Sequence, residues 1–248
     1  MSFRIGLTSV TFRSRSPREI CEIAQKNKIK YIEWGADVHA TSPSAAGIIR
    51  DICDEHGITS CSIGSYVRAG EGDIAAFCRD CESAVILGAK RIRIWLGRKG
   101  SSELCDTDRK DIRRDVEIFA REAAERGLTI AFEFHKGTLS DTAESVTALI
   151  DEIGAPNVKT YWQPFSLGHD DEWLNIVTPY LSAVHVFAWD ENFIRYPLCD
   201  QHDIWCNFIN ILNKKAPNVD LIFEFVKNDD EEQLSHDVAE LRSIVGGI

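Results

Sequence analysis

Two residues suited to chemistry, Glu133 and His135, stand at the end of the apolar run TIAFEF (129–134). Residues two apart on a strand share a face, so Glu133 and His135 point one way while Phe132 and Phe134 point the other. A carboxylate on a buried strand is costly unless it is paired or binds a cation. The stretch therefore predicts a polar site at the tip of a strand.

Three later apolar runs end in comparable side chains: Gln163, His185 and Glu224. If the four ends meet, Glu133 and Glu224 repel each other, and a divalent metal removes that cost. Two Glu, one His and one Gln carbonyl suit Mn²⁺, Mg²⁺ or Co²⁺, with Zn²⁺ also possible. The sequence predicts one divalent metal ion bound by Glu133, Gln163, His185 and Glu224.

The elements that position these residues repeat along the chain. Eight apolar runs alternate with amphipathic helical runs, which predicts parallel strands joined by helices. The predicted strands are 4–12, 30–35, 58–66, 91–97, 129–134, 158–164, 183–189 and 221–226. A doubly wound sheet would normally carry a GxGxxG fingerprint, and none occurs. We therefore expect a (β/α)₈ barrel, one domain over 1–248, with its site at the carboxyl ends of the strands.

Further candidates lie near the same end of the predicted barrel and are assigned to substrate binding. They are Glu33 after the second strand, His39 in the following loop, His135, the strand-end aromatic Trp95, and Arg195 after the seventh strand. Three of them have a structural alternative: a salt bridge for Arg195, ordinary packing for Trp95, and a structural hydrogen bond for His135. Aromatic walls beside polar groups favour a carbohydrate ligand.

Composition narrows the possible partners and location. The formal net charge of −11 argues against a broad nucleic-acid surface or an anionic membrane surface. No run of about 18 apolar residues and no signal-peptide pattern are present, so we expect a cytoplasmic protein. The eight scattered cysteines then predict reduced thiols, and the CRDC pair (78–81) lies in a helical pattern without a second metal-binding pair.

On these residues the chain resembles the xylose isomerase-like barrel superfamily, specifically its bacterial sugar phosphate isomerase/epimerase group. The resemblance rests on IEWGADVH (32–39), FEFHKGTLSDT (132–142), YWQP (161–164), HVFAW (185–189), RYPL (195–198) and FEFV (223–226). It implies one divalent metal bound at the ends of strands five to eight, by Glu133, Gln163, His185 and Glu224. Many sugar epimerases of the superfamily have Asp where this chain has Gln163.

The resemblance also implies an activity. Glu133 and Glu224 would transfer a proton through an enediolate in a sugar, sugar phosphate or keto-sugar isomerase or epimerase. The alternatives are a metal-dependent lyase or dehydratase acting on an inositol-like or keto sugar, and a non-catalytic sugar-binding barrel with a decayed metal site. A phosphodiesterase like the DNA-repair endonucleases of the superfamily would need more His and Asp ligands. We expect a small carbohydrate substrate, no nucleic acid, no membrane partner, and a possible homo-oligomer.

Overall fold

Eight parallel strands close into a barrel in which each strand pairs with the next and the last pairs with the first. The computed structural model describes residues 3–165 and 168–247. The strands are β1 (Arg4–Thr8), β2 (Tyr31–Gly35), β3 (Thr59–Ala69), β4 (Arg91–Leu96), β5 (Thr129–Phe132), β6 (Val158–Trp162), β7 (Leu181–Val186) and β8 (Asp220–Phe223). The predicted (β/α)₈ barrel is confirmed.

A helix follows each strand and packs outside the barrel. The helices are α1 (Pro17–Lys26), α2 (Pro43–His56), α3 (Ile74–Leu87), α4 (Asp106–Glu125), α5 (Ala143–Ile153), α6 (Asp170–Val177), α7 (His202–Lys215) and α8 (Glu231–Gly246). At the start of α1, Ser16 and Glu19 cap each other in a capping box. At the end of α2, Gly57 adopts the left-handed conformation with φ +62°, which favours glycine.

Every strand differs from its predicted range at one or both ends, and β5 to β8 end two or three residues earlier than predicted. The first and third strands differ for specific structural reasons. The sequence predicts the first strand over 4–12, but β1 ends at Thr8, whose side chain caps a short 3-10 turn at Ser9–Phe12. The sequence predicts the third strand over 58–66, but β3 continues to Ala69. A register shift between β3 and β4 brings Arg68 opposite Trp95. Local composition did not reveal this extension because it depends on pairing with a neighbouring strand.

The barrel interior is small and separate from the main apolar core. Its apolar cluster consists of Ala131, Tyr161, Ala183 and Ile222. Each of these residues precedes a predicted metal ligand by two positions and therefore shares its face. The larger core fills the space between the strands and the helices.

An ion network lies at the amino-terminal end of the barrel around the buried carboxylate of Asp220. Asp220 accepts from Arg4 at 2.6 Å and from Arg91 at 2.9 Å.

Within residues 3–165 and 168–247, no helix combines the length and apolar character needed to cross a bilayer.

Candidate metal centre and active site

The structure brings the four predicted metal ligands to the carboxyl-terminal end of the barrel. Glu133, Gln163 and Glu224 each come directly after the last residue of β5, β6 and β8, and His185 lies within β7. All four side chains are buried, with exposed fractions from 0% to 7%. Buried side chains of this kind require partners, because they have lost their water.

The ligand atoms of these residues converge on one point. One nitrogen of His185, Nδ1, lies 3.1 Å from Glu224 Oε2 and 3.1 Å from Gln163 Oε1. Glu133, His185 and Glu224 each offer a ligand atom, and these three atoms lie within 4.8 Å of one another. These three residues form a possible metal-binding triad, and Gln163 adds a carbonyl oxygen beside it.

Arg93 carries no role in the sequence-based prediction, yet its side chain lies in the middle of this site. Its Nε lies 3.1 Å from Glu33 Oε1, and its Nη1 contacts Glu133 Oε2. The sequence pattern that could have identified Arg93 is the alternation RIRIW (91–95). Charged residues at every second position of an otherwise apolar strand share one face. Arg93 is 1% exposed, so both carboxylates compensate a buried cation.

Glu33 lies beneath His185 rather than at the mouth of the barrel. Its side chain is fully buried and accepts a hydrogen bond from Tyr161 Oη at 2.6 Å and another from Ser62. Burial opposes the charged form of Glu33, but Arg93, His185 and Ser62 outweigh it, so the pKa of this carboxyl falls well below its usual range. Glu33 is therefore charged at neutral pH.

Opposing effects also act on the His185 ring. Burial favours the neutral imidazole, but Glu224 and Glu33 outweigh burial and raise the pKa of His185. The two nearby carboxylates therefore favour a proton on this ring. A metal ion would compete with that proton for the same nitrogen, since ligating imidazoles must be neutral.

The formal charges around His185 favour a divalent cation. Glu33, Glu133 and Glu224 contribute three negative charges, and Arg93 contributes one positive charge. Two negative charges remain, and a divalent cation would balance them. Carboxylate and amide oxygens together with one imidazole are suitable ligands for such an ion. The residues present therefore fit the predicted metal.

A small, partly open cleft adjoins Gln163, beside the triad. Its lining consists mainly of aromatic rings and a few polar groups: His135, Lys136, Gln163, Pro164, Phe165, Phe187, Trp189, Asp190 and Phe193. Burial lowers the pKa of His135, so this ring is neutral at neutral pH. Trp95 lies against His135, with ring centroids 4.3 Å apart.

The remaining predicted substrate residues, His39 and Arg195, are engaged by the protein. His39 uses both ring nitrogens, each at 2.9 Å, on the hydroxyl of Ser9 and the carbonyl of Arg15. Arg195 donates to Asp229 at 2.5 Å. Both residues lie in loops at the carboxyl end of the barrel, and their roles toward a substrate stay predictions.

Comparisons with known proteins agree with this architecture. A curated relative, 3-dehydroshikimate dehydratase of Bacillus anthracis, is 24% identical over 170 residues, which are 63% of this chain. The match spans only 60% of that protein's length.

Two solved structures resemble the whole chain. A probable 3-DHS dehydratase involved in petrobactin synthesis from Bacillus anthracis superposes with a TM-score of 0.80, at 17% identity, covering 97% of this chain and 98% of that chain. The 3-keto-D-glucoside 4-epimerase of E. coli superposes with a TM-score of 0.77, at 15% identity, covering 98% and 100%. A family model described as "Xylose isomerase-like TIM barrel" matches residues 21–244. Since that match spans most of the chain, this protein belongs to the xylose isomerase-like TIM barrel family.

Proposed function

We propose that this protein is a divalent-metal-dependent isomerase or epimerase of a sugar, sugar phosphate or keto sugar. The observation that carries the proposal is the buried convergence of Glu133, His185 and Glu224 at the end of the barrel where such folds place their active sites. When bound, a divalent cation would polarise a substrate carbonyl and acidify the neighbouring C–H bond.

Two carboxylates then suit the proton transfer. Glu133 and Glu224 come from β5 and β8, so they approach the site from different parts of the barrel wall. One removes a proton from carbon to give an enediolate, and a proton is then returned. Return to the adjacent carbon gives isomerisation, whereas return to the same carbon from the opposite face gives epimerisation.

The neighbouring groups support substrate binding. His135, neutral at neutral pH, can hydrogen-bond a substrate oxygen, and the aromatic walls of the cleft suit the apolar faces of a sugar. The charged pair of Arg93 with Glu33 lies below this space and is closed to solvent. The substrate proposal therefore rests on His135 and the cleft rather than on Glu33.

A dehydratase is the second candidate, because the curated relative described above is named as one. It would use the same proton abstraction, followed by loss of a neighbouring hydroxyl group as water. The two reactions differ in their products, since dehydration gives an unsaturated compound and isomerisation or epimerisation does not.

Exchange of carbon-bound hydrogen in D₂O tests the proposal. The wild type is loaded with Mn²⁺ and then exchanged into Mg²⁺ for NMR. It is assayed against a panel of ketoses and keto sugars, and we expect it to incorporate deuterium into at least one of them. Glu133→Gln and Glu224→Gln should each slow this exchange by about 10²–10⁴-fold, because each removes a general base.

Glu240→Gln is the matched control, because Glu240 lies on α8 and pairs with His202 far from the site. It should retain the wild-type rate. Full exchange in either Glu133→Gln or Glu224→Gln would contradict the proposed mechanism. An unsaturated product from the wild type would instead select the dehydratase.

A further inference from the structure

The second nitrogen of the His185 ring has no role in the site as described so far. Its Nδ1 faces Glu224 and Gln163, whereas Nε2 points to the opposite side, deeper in the barrel. Nε2 is buried and makes no hydrogen bond within the described residues. Glu33 Oε1 lies 3.5 Å from it. The deeper side of the ring therefore faces a carboxylate.

That carboxylate is held firmly in place. Arg93 lies beside one oxygen of Glu33, while Tyr161 and Ser62 donate to the other. Gly64 provides the space for this arrangement, because a Cβ at Gly64 would lie 2.5 Å from Nη2 of Arg93 and 3.3 Å from Glu33 Oε1. A fixed acceptor below an imidazole can determine which of the two nitrogens carries the proton.

We infer that Glu33 is a positioning residue that acts through His185. It orients the imidazole and keeps hydrogen on Nε2, so that Nδ1 is presented to a divalent cation as a ligand. Histidines that bind metals usually donate their other N–H to such a partner, and the partner also increases the basicity of the ring. Glu33 thus lies on the side of His185 away from the metal, supports that ligand, and makes no contact with substrate. This inference rests on the proposed metal-dependent function.

The direct test is the Mn²⁺ affinity of Glu33→Gln, measured by isothermal titration calorimetry on the full chain. We expect an affinity lower by about 10–100-fold, as for other residues that support a metal ligand. The matched control is Asp220→Asn. Asp220 is also a buried carboxylate of the barrel interior paired with an arginine, Arg91, but it lies at the opposite end of the barrel from the triad. Its loss should leave the Mn²⁺ affinity within about twofold of wild type.

A spectroscopic measurement separates positioning from a general loss of structure. With Zn²⁺ bound, ¹⁵N–¹H correlation spectra of the His185 side chain should show hydrogen on Nε2 in the wild type. In Glu33→Gln we expect a mixture of tautomers or a broadened ring signal. Unchanged ring signals together with unchanged Mn²⁺ affinity in a folded Glu33→Gln protein would overturn the inference.

If Glu33→Gln does not fold, the Tyr161→Phe variant tests the same inference. It removes one hydrogen bond to Glu33 and keeps the aromatic ring that lies against His185. We expect its Mn²⁺ affinity to fall below the affinity of wild type, and an unchanged affinity would overturn the inference. If the wild type binds no divalent metal, the proposed function itself is contradicted. If the wild type binds Mn²⁺ and neither Glu33→Gln nor Tyr161→Phe changes the affinity, only the role of Glu33 is contradicted.

Discussion

Arg93 determines the charge balance at the centre of the barrel. A buried guanidinium beside Glu33 and Glu133 leaves an excess of two negative charges around His185, which is the charge of one divalent ion. Gln163 fits this balance, because an aspartate at that position would add a further negative charge. At the scale of single residues, the site is therefore matched to a cation by its charge as well as by its ligand types.

Gly64 leaves space for the Arg93 side chain in this arrangement. The Cβ of Gly64→Ala would meet Nη2 of Arg93, and that end of the arginine cannot move freely because it is buried and paired. We expect a loss of about 1–3 kcal/mol in the free energy of unfolding, as for other overpacked interiors. Urea denaturation measures it.

Gly47→Ala is the control for that experiment, because a Cβ there meets no atom within 4 Å and the residue lies within α2. It should be neutral or stabilising by about 0.5–1 kcal/mol. Equal stability of Gly64→Ala and wild type would contradict the tight packing around Arg93.

Strand alternation made the common face of the proposed ligands predictable from the sequence. Glu133 and His135 share a face with Ala131 because the side-chain period of a strand is two, and this holds before any tertiary contact is known. The meeting of Glu33, Arg93 and Tyr161 could not be predicted in the same way. These residues come from β2, β4 and β6, and their contacts depend on the relative stagger of strands around a closed barrel.

The capping box of α1 gives a prediction about a single element. The backbone and side chain of Ser16 donate hydrogen bonds to Glu19, and these lower the pKa of its carboxyl. A pKa lowered by folding stabilises the folded protein above the unfolded pKa, and this stabilisation is lost as the pH falls through the folded pKa.

Glu19→Gln should therefore be less stable than wild type at pH 7 and approach wild-type stability at about pH 2–3. Chemical denaturation of both proteins across this pH range measures the difference. A stability difference that stays constant from pH 7 to pH 2 would show that the charge of Glu19 does not contribute to the cap.

The barrel contains two ion networks, one toward each end. The network of Asp220, Arg4 and Arg91 lies at the amino-terminal end, and the network around Arg93 and His185 lies toward the carboxyl-terminal end. The first carries an excess of one positive formal charge, because Arg4 and Arg91 share Asp220. The second keeps a negative excess beside a cleft lined by aromatic side chains. This asymmetry between the two ends marks where a metal and a substrate are expected to bind.

Metal content per chain tests the central claim most directly. Wild type and Glu224→Gln would be reconstituted with Mn²⁺, desalted in the same way and measured by elemental analysis, with Glu240→Gln as the control. We expect about one ion per chain in wild type and in Glu240→Gln, and little or none in Glu224→Gln, because the substitution removes a carboxylate ligand from the triad. Equal metal content in Glu224→Gln and wild type, or no retained metal in any of the three proteins, would contradict the account.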